Sequence, residues 1–164
     1  MKKLLLVAVL AILSNASFAQ SQDLPTTKIR DINGKQISFN EAFENGKVTL
    51  VSFWATWCIP CKQEIKNIKT KLEGWQKEAD FNYITVSIDD ARATAMVKTY
   101  AKSQGWTFPT YTDPNSDLKR SLNFQNVPFT MIVDQSGKVA YQHSGYEEGH
   151  EDEMFDRIKA MMKK

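Results

Sequence analysis

Val48 to Glu64 reads VTLVSFWATWCIPCKQE, and the change of period inside this stretch decides the fold. Val48 to Trp54 is rich in β-branched and aromatic residues, the composition of a buried strand. From Cys58 onward the apolar residues Cys61, Ile65, Ile68, Leu72 and Trp75 recur at intervals of three and four, while Lys62, Lys66, Lys69 and Lys71 fall mostly elsewhere. That spacing predicts an amphipathic helix laid on a sheet. Cys58 and Cys61 stand at the junction, three apart and therefore on one helix face, where their sulfurs can bond or exchange. Unpaired amides and the positive dipole end of the first turn stabilise the Cys58 thiolate over its thiol, which makes Cys58 the nucleophile. Pro60 sits where its missing N–H would have been an orphan in any case.

These are the only two cysteines in 164 residues. A loop with two intervening residues constrains the unfolded chain very little, so a purely structural disulfide is a poor use of them. Half a zinc site completed by His143 and His150 is also disfavoured, because six residues separate those histidines where tight sites usually place three to five. Met161 and Met162 are soft ligands in principle, yet their spacing fits the core face of a helix. Redox chemistry is the reading that remains, with no cofactor and no resident metal.

Outward from the junction, the chain alternates strands and helices. Lys28 to Phe39 places Asn33-Gly34 between two short alternating runs and predicts a tight hairpin. Asn40 to Phe43 predicts one helical turn. Past the first helix come a strand at Tyr83 to Ile88, a helix at Ala91 to Gln104, a short strand at Phe108 to Tyr111 and a short helix at Ser116 to Leu122. Phe129 to Val133 and Val139 to His143 form a hairpin about Gln135-Ser136-Gly137. Glu151 to Met162 closes the chain as a helix, with acids at its start and lysines towards its end, as the dipole prefers. The pattern describes one α/β domain with a mixed central sheet covered by helices on both faces.

Met1 to Gln20 reads MKKLLLVAVLAILSNASFAQ: two lysines, ten apolar residues and a small-residue site ending at Ala19. This is the layout of a secretory signal peptide over 1–19, and ten apolar residues fall short of the roughly 20 needed to span a bilayer. A polar leader, 20–27, precedes the domain at 28–164. The formal charge is +2, and cleavage removes Lys2 and Lys3, leaving acids and bases equal in number. With no run of four like charges, nothing points to nucleic acid. Export places the cysteines in a periplasmic or other extracytoplasmic space where disulfides persist.

At FWATWCIPCKQE, Phe53 to Glu64, the chain resembles the thioredoxin-like superfamily, and within it the TlpA/ResA-type exported thiol-disulfide oxidoreductases. The resemblance runs from the hairpin at Lys28 to the last helix and implies a thioredoxin-like fold with an N-terminal β-hairpin and a central helix-strand insertion. It places Val127-Pro128 at the family's cis-proline, which lies against the redox disulfide and lets the preceding backbone pair with a substrate peptide. It also places Glu64, three residues after Cys61 and on its face, as a proton relay for the resolving cysteine. Trp57, beside Cys58, is read as a substrate-facing ring, and Trp54, Trp75 and Trp106 as packing. Thioredoxin proper carries a buried acid six residues before its first cysteine, where this chain has Ser52, and Phe129 follows Pro128 where threonine is common.

The resemblance implies a monomer that reduces disulfides of exported proteins, apocytochrome c among them, and is re-reduced by a DsbD- or CcdA-like membrane donor. A disulfide oxidase or isomerase on the same fold, and a copper-binding chaperone using Cys58 and Cys61 as soft ligands, are the alternatives. A peroxidase is disfavoured, since Trp57 precedes Cys58 and the second cysteine is only three away.

Overall fold

The computed structural model describes residues 22–163, so the predicted signal segment 1–19 lies outside the described residues. In chain order the elements are β1 (Gln22–Asp23), β2 (Lys28–Asp31), β3 (Gln36–Ser38), a 3₁₀ turn (Phe39–Ala42), β4 (Thr49–Trp54), α1 (Ile59–Glu78), β5 (Asn82–Ser87), α2 (Thr94–Ser103), β6 (Thr110–Thr112), α3 (Asp117–Ser121), β7 (Phe129–Val133), β8 (Lys138–Ser144) and α4 (His150–Met162). One mixed sheet carries all the strands in the order β1-β8-β7-β4-β5-β6-β2-β3. β4 pairs parallel with β5 and β5 with β6, while β7 lies antiparallel to β4. This is a thioredoxin-like fold with a mixed sheet and helices on both faces.

β4 is buried at every position, and its alternation assigns the two faces of the sheet. Val51 and Phe53 join Phe39, Leu118, Phe124 and Phe129 on the side of the 3₁₀ turn and α3. Leu50 faces the opposite way, into a cluster with Ile68, Leu72 and Trp75 of α1 and Phe155 and Ile158 of α4. There Trp75 and Phe155 stack with ring centroids 4.6 Å apart. Met161 and Met162 pack against this cluster, as their helical spacing predicts. Trp54 continues the α1 face and meets Tyr100 and Trp106, so the helix-strand stretch after β5 is tied to the cysteine end of the sheet by aromatic contacts.

Three local readings shift. The N-terminal hairpin turns through three residues, Ile32 to Gly34, because the Asp31 carboxylate accepts the N–H groups of Asn33 and Lys35 at 2.8 and 2.9 Å, and Gly34 supplies the positive φ of +91°. The β7–β8 hairpin repeats this device with Asp134 and Gly137. Helix α2 begins at Thr94 and not at Ala91, because the Asp90 side chain accepts the Arg92 and Ala93 N–H groups and turns the chain first. Finally, the sheet reaches into the stretch read as a loose leader: Gln22 and Asp23 pair antiparallel with β8. Edge pairing is made by backbone groups, so no side-chain period announces it.

Candidate active site

Helix α1 starts immediately beyond Cys58, which is its N-cap, and the Cys58 sulfur accepts the Cys61 N–H at 3.3 Å. The two cysteines are joined in a disulfide with their Cα atoms 5.4 Å apart. Cys61 is buried and Cys58 nearly so, at 1% and 4% exposure. The contrast with their neighbours is large: Trp57 is 67% and Ile59 76% exposed. Two large apolar side chains are thus left exposed on either side of a buried sulfur. Val127, from the loop before β7, packs against the cluster that holds both cysteines, and the Val127-Pro128 peptide bond is cis.

Glu64 lies on the buried face of α1, one turn after Cys61, and is 1% exposed. Its Oε1 accepts the Thr130 hydroxyl at 2.6 Å. Burial raises its pKa from 4.5 to about 7; the Thr130 and Ser52 hydroxyls pull it down, and the Glu151 charge adds to the rise. Nearby, the Tyr83 hydroxyl donates to Ser52 at 3.2 Å, and burial carries the Tyr83 phenol well above its ordinary range. Strand register makes a row of these groups. Thr130, Ser52, Thr85 and Thr110 stand opposite one another across β7, β4, β5 and β6, all buried. A buried carboxyl therefore sits at this level of the sheet although position 52 is serine: α1 supplies it from above.

The sequence reading brought Cys58, Cys61, Glu64, Trp57, Val127 and Pro128 forward, and the fold gathers the pair, Trp57 and Val127 at one end of β4, with Glu64 beneath. His143 and His150 also meet, with ring centroids 4.4 Å apart, but among the described residues no group of three or more metal-ligating side chains forms. From the sequence Ser52 stands out only as a departure from thioredoxin, and Thr130 does not stand out. Their signal is a polar residue within a largely apolar, fully buried strand, in TLVSFW and FTMIV.

A family model described as the AhpC/TSA family matches residues 21–142. Among curated proteins, the chain is 27% identical over 123 residues to "Thiol-disulfide oxidoreductase ResA" of Bacillus subtilis (strain 168), covering 75% of this chain and 66% of that one. It is 30% identical over 129 residues to "Thioredoxin-like protein YneN" of the same organism, covering 77% and 72%. A solved structure of an uncharacterized thioredoxin-like protein from Porphyromonas gingivalis superposes with a TM-score of 0.77 at 37% identity, over 85% of this chain and 92% of that one. The family match runs from β1 almost to the end of β8 and includes the whole cysteine site, and on it the chain belongs to the AhpC/TSA family, in its thioredoxin-like form.

Proposed function

We propose that this thiol-disulfide oxidoreductase reduces disulfides of exported proteins in the periplasm or a comparable extracytoplasmic space, following removal of residues 1–19. The observation that carries the reading is Glu64, a buried carboxyl on the face of Cys61 whose pKa of about 7 suits it to exchange a proton with the Cys61 sulfur near neutral pH. The reducing direction is taken from the resemblance to the exported TlpA/ResA-type oxidoreductases.

In the reduced protein the Cys58 thiolate attacks one sulfur of a substrate disulfide. That bond breaks, a Cys58–substrate disulfide forms, and the other substrate sulfur leaves as a thiolate. The Cys61 thiol passes its proton to the Glu64 carboxylate, and the Cys61 thiolate attacks the Cys58 sulfur. The mixed disulfide breaks, the second substrate sulfur leaves, and the Cys58–Cys61 disulfide remains. Two electrons have passed to the substrate, so a membrane thiol-disulfide donor of the DsbD or CcdA kind must restore the dithiol. Trp57 and the Val127 backbone, which stands outside the β7 ladder, hold the substrate chain over Cys58. Exported proteins with oxidised thiols, apocytochrome c among them, are the substrate class.

Stopped-flow reduction of a disulfide-containing protein such as insulin tests the reading. Cys58→Ser abolishes turnover and Cys61→Ser accumulates a mixed disulfide recoverable by mass spectrometry. Turnover at the wild-type rate in Cys58→Ser contradicts it.

A further inference from the structure

The loop that delivers Cys58 is held from both sides at one residue. Thr56 donates its N–H to Asp89 Oδ2 at 2.8 Å and its hydroxyl to Asp89 Oδ1 at 2.6 Å. From the other side, Lys62 of α1 donates to the Thr56 carbonyl at 2.9 Å. Asp89 itself is 1% exposed and is fixed by Ser87, whose hydroxyl donates to Oδ2 at 2.6 Å and accepts the Asp89 N–H at 2.9 Å. Every polar group of Thr56 is thus engaged, each by a side chain and none by a backbone ladder bond. A buried carboxylate accepting three hydrogen bonds is costly to place and is not needed to close a β-strand-to-helix turn, which here is already closed by Cys58 N–H to the Ala55 carbonyl at 3.0 Å.

We propose that Asp89 and Thr56 are positioning residues for the redox reaction: their paired hydrogen bonds fix the approach to α1 so that Cys58 stays at the N-cap and Trp57 stays turned outward. The physical need is twofold. A large apolar ring that is 67% exposed gains free energy by folding down onto the surface unless the backbone on one side of it is pinned. The Cys58 sulfur, for its part, keeps the Cys61 N–H only while Cys58 holds its N-cap geometry, and that N–H stabilises the thiolate. Thr56 lies two residues before Cys58, so play at Thr56 reaches both. The charged groups bound to this loop are Asp89 of the β5–α2 turn and Lys62 of α1, with Glu64 two residues beyond Lys62 on the buried face of the helix.

This role rests on the redox reading of the Cys58–Cys61 pair, and the test separates the two. Thr56→Val removes the hydroxyl while keeping shape, N–H and every charge, and Thr56→Ser keeps the hydroxyl. The readouts are the pH profile of iodoacetamide alkylation of Cys58 in the reduced protein, the rate of insulin reduction, and the melting temperature. Thr56→Val is expected to move the alkylation midpoint up by about half a pH unit and to slow reduction about fivefold, the equivalent of one lost hydrogen bond. Thr56→Ser is expected to restore both. Should Thr56→Val lower the melting temperature while midpoint and rate stay at wild-type values, the proposal is overturned, because a merely structural tie gives that result. The alkylation profile needs no substrate, so a wild-type protein inactive on insulin contradicts the redox reading alone and leaves the profile to decide the role of Thr56. Asp89→Asn extends the comparison to the other partner without carrying it.

Discussion

The Thr130 hydroxyl donates a 2.6 Å hydrogen bond to Glu64 Oε1, joining the second residue of β7 to the buried face of α1, one turn beyond Cys61. Thr130 is two residues past the cis Val127-Pro128 bond, so the segment proposed to meet the substrate and the carboxyl proposed to serve Cys61 are tied by one contact. A hydrogen bond to a carboxylate favours the charged form. Thr130→Val is therefore expected to raise the Glu64 pKa above its value of about 7, read by carbon-13 NMR of the carboxyl. Glu64→Gln, which cannot accept a proton, is expected to slow resolution about 10²-fold, the lower range for loss of a general base. The mixed disulfide at Cys58 then builds up at neutral pH, and raising the pH towards the Cys61 thiol's own range shortens its lifetime.

Stability should carry the mark of the same group. The folded pKa of Glu64, about 7, lies above its value of 4.5 in an open chain. Its contribution is therefore fully present below pH 4.5, falls as the pH rises from there, and is gone above about 7. Over that window the wild-type protein is expected to lose up to about 3 kcal/mol relative to Glu64→Gln. Glu151 adds its charge to Glu64, but Glu151 itself is held below its ordinary value: burial opposes this, and its own backbone N–H and the Lys71 ammonium at 3.2 Å prevail. Urea unfolding at pH 4, 5.5 and 8 in both proteins checks the slope; parallel curves contradict it.

Trp57 separates binding from folding. The ring is 67% exposed, so Trp57→Ala is expected to change stability by no more than about 0.5 kcal/mol, as surface substitutions do. Its effect falls on recognition: KM for a protein disulfide rises severalfold, while the rate with a small disulfide such as that of glutathione is little altered. Equal loss on both substrates contradicts a ring that holds a polypeptide.

Phe155 gives the opposite case. It is buried between α4 and α1 and stacked on Trp75 at 4.6 Å and 8°. Phe155→Ala is expected to cost about 3–5 kcal/mol, since the cavity opens between two helices that cannot both close on it. The potential of the cysteine pair should hardly move, because this cluster lies towards the far end of α1. Thermal unfolding measures the first and redox titration the second.

Much of this was legible in the sequence because the decisive signals are local. A β-branched run followed by a three-and-four period defines β4 and α1, and the face carrying Cys61, Ile65, Ile68, Leu72 and Trp75 is the face the structure buries. The cysteine spacing and its place at the junction locate the sulfur pair, and the resemblance places Pro128 beside it. What stayed out of reach depends on strand register and turn contacts. That Thr130, Ser52, Thr85 and Thr110 form one row follows from the β7-β4-β5-β6 order, which no single segment encodes. Asp89 reads as one of two acids after a strand, Asp89-Asp90; only the fold turns the first onto Thr56 and leaves the second to close the turn that precedes α2. The pairing of Gln22 and Asp23 with β8 likewise uses backbone groups and leaves no side-chain signature.

The direction of electron flow is the central claim, and the equilibrium reduction potential of the Cys58–Cys61 pair tests it most directly. Thioredoxin-like pairs span about −270 mV for a reductant to about −120 mV for a strong oxidant, roughly 7 kcal/mol for a two-electron couple. Titration against a glutathione or dithiothreitol buffer, followed by mass-tagging of free thiols, is expected to place this pair within about 40 mV of the reducing end. A value near −120 mV contradicts the account and makes the protein a donor of disulfides.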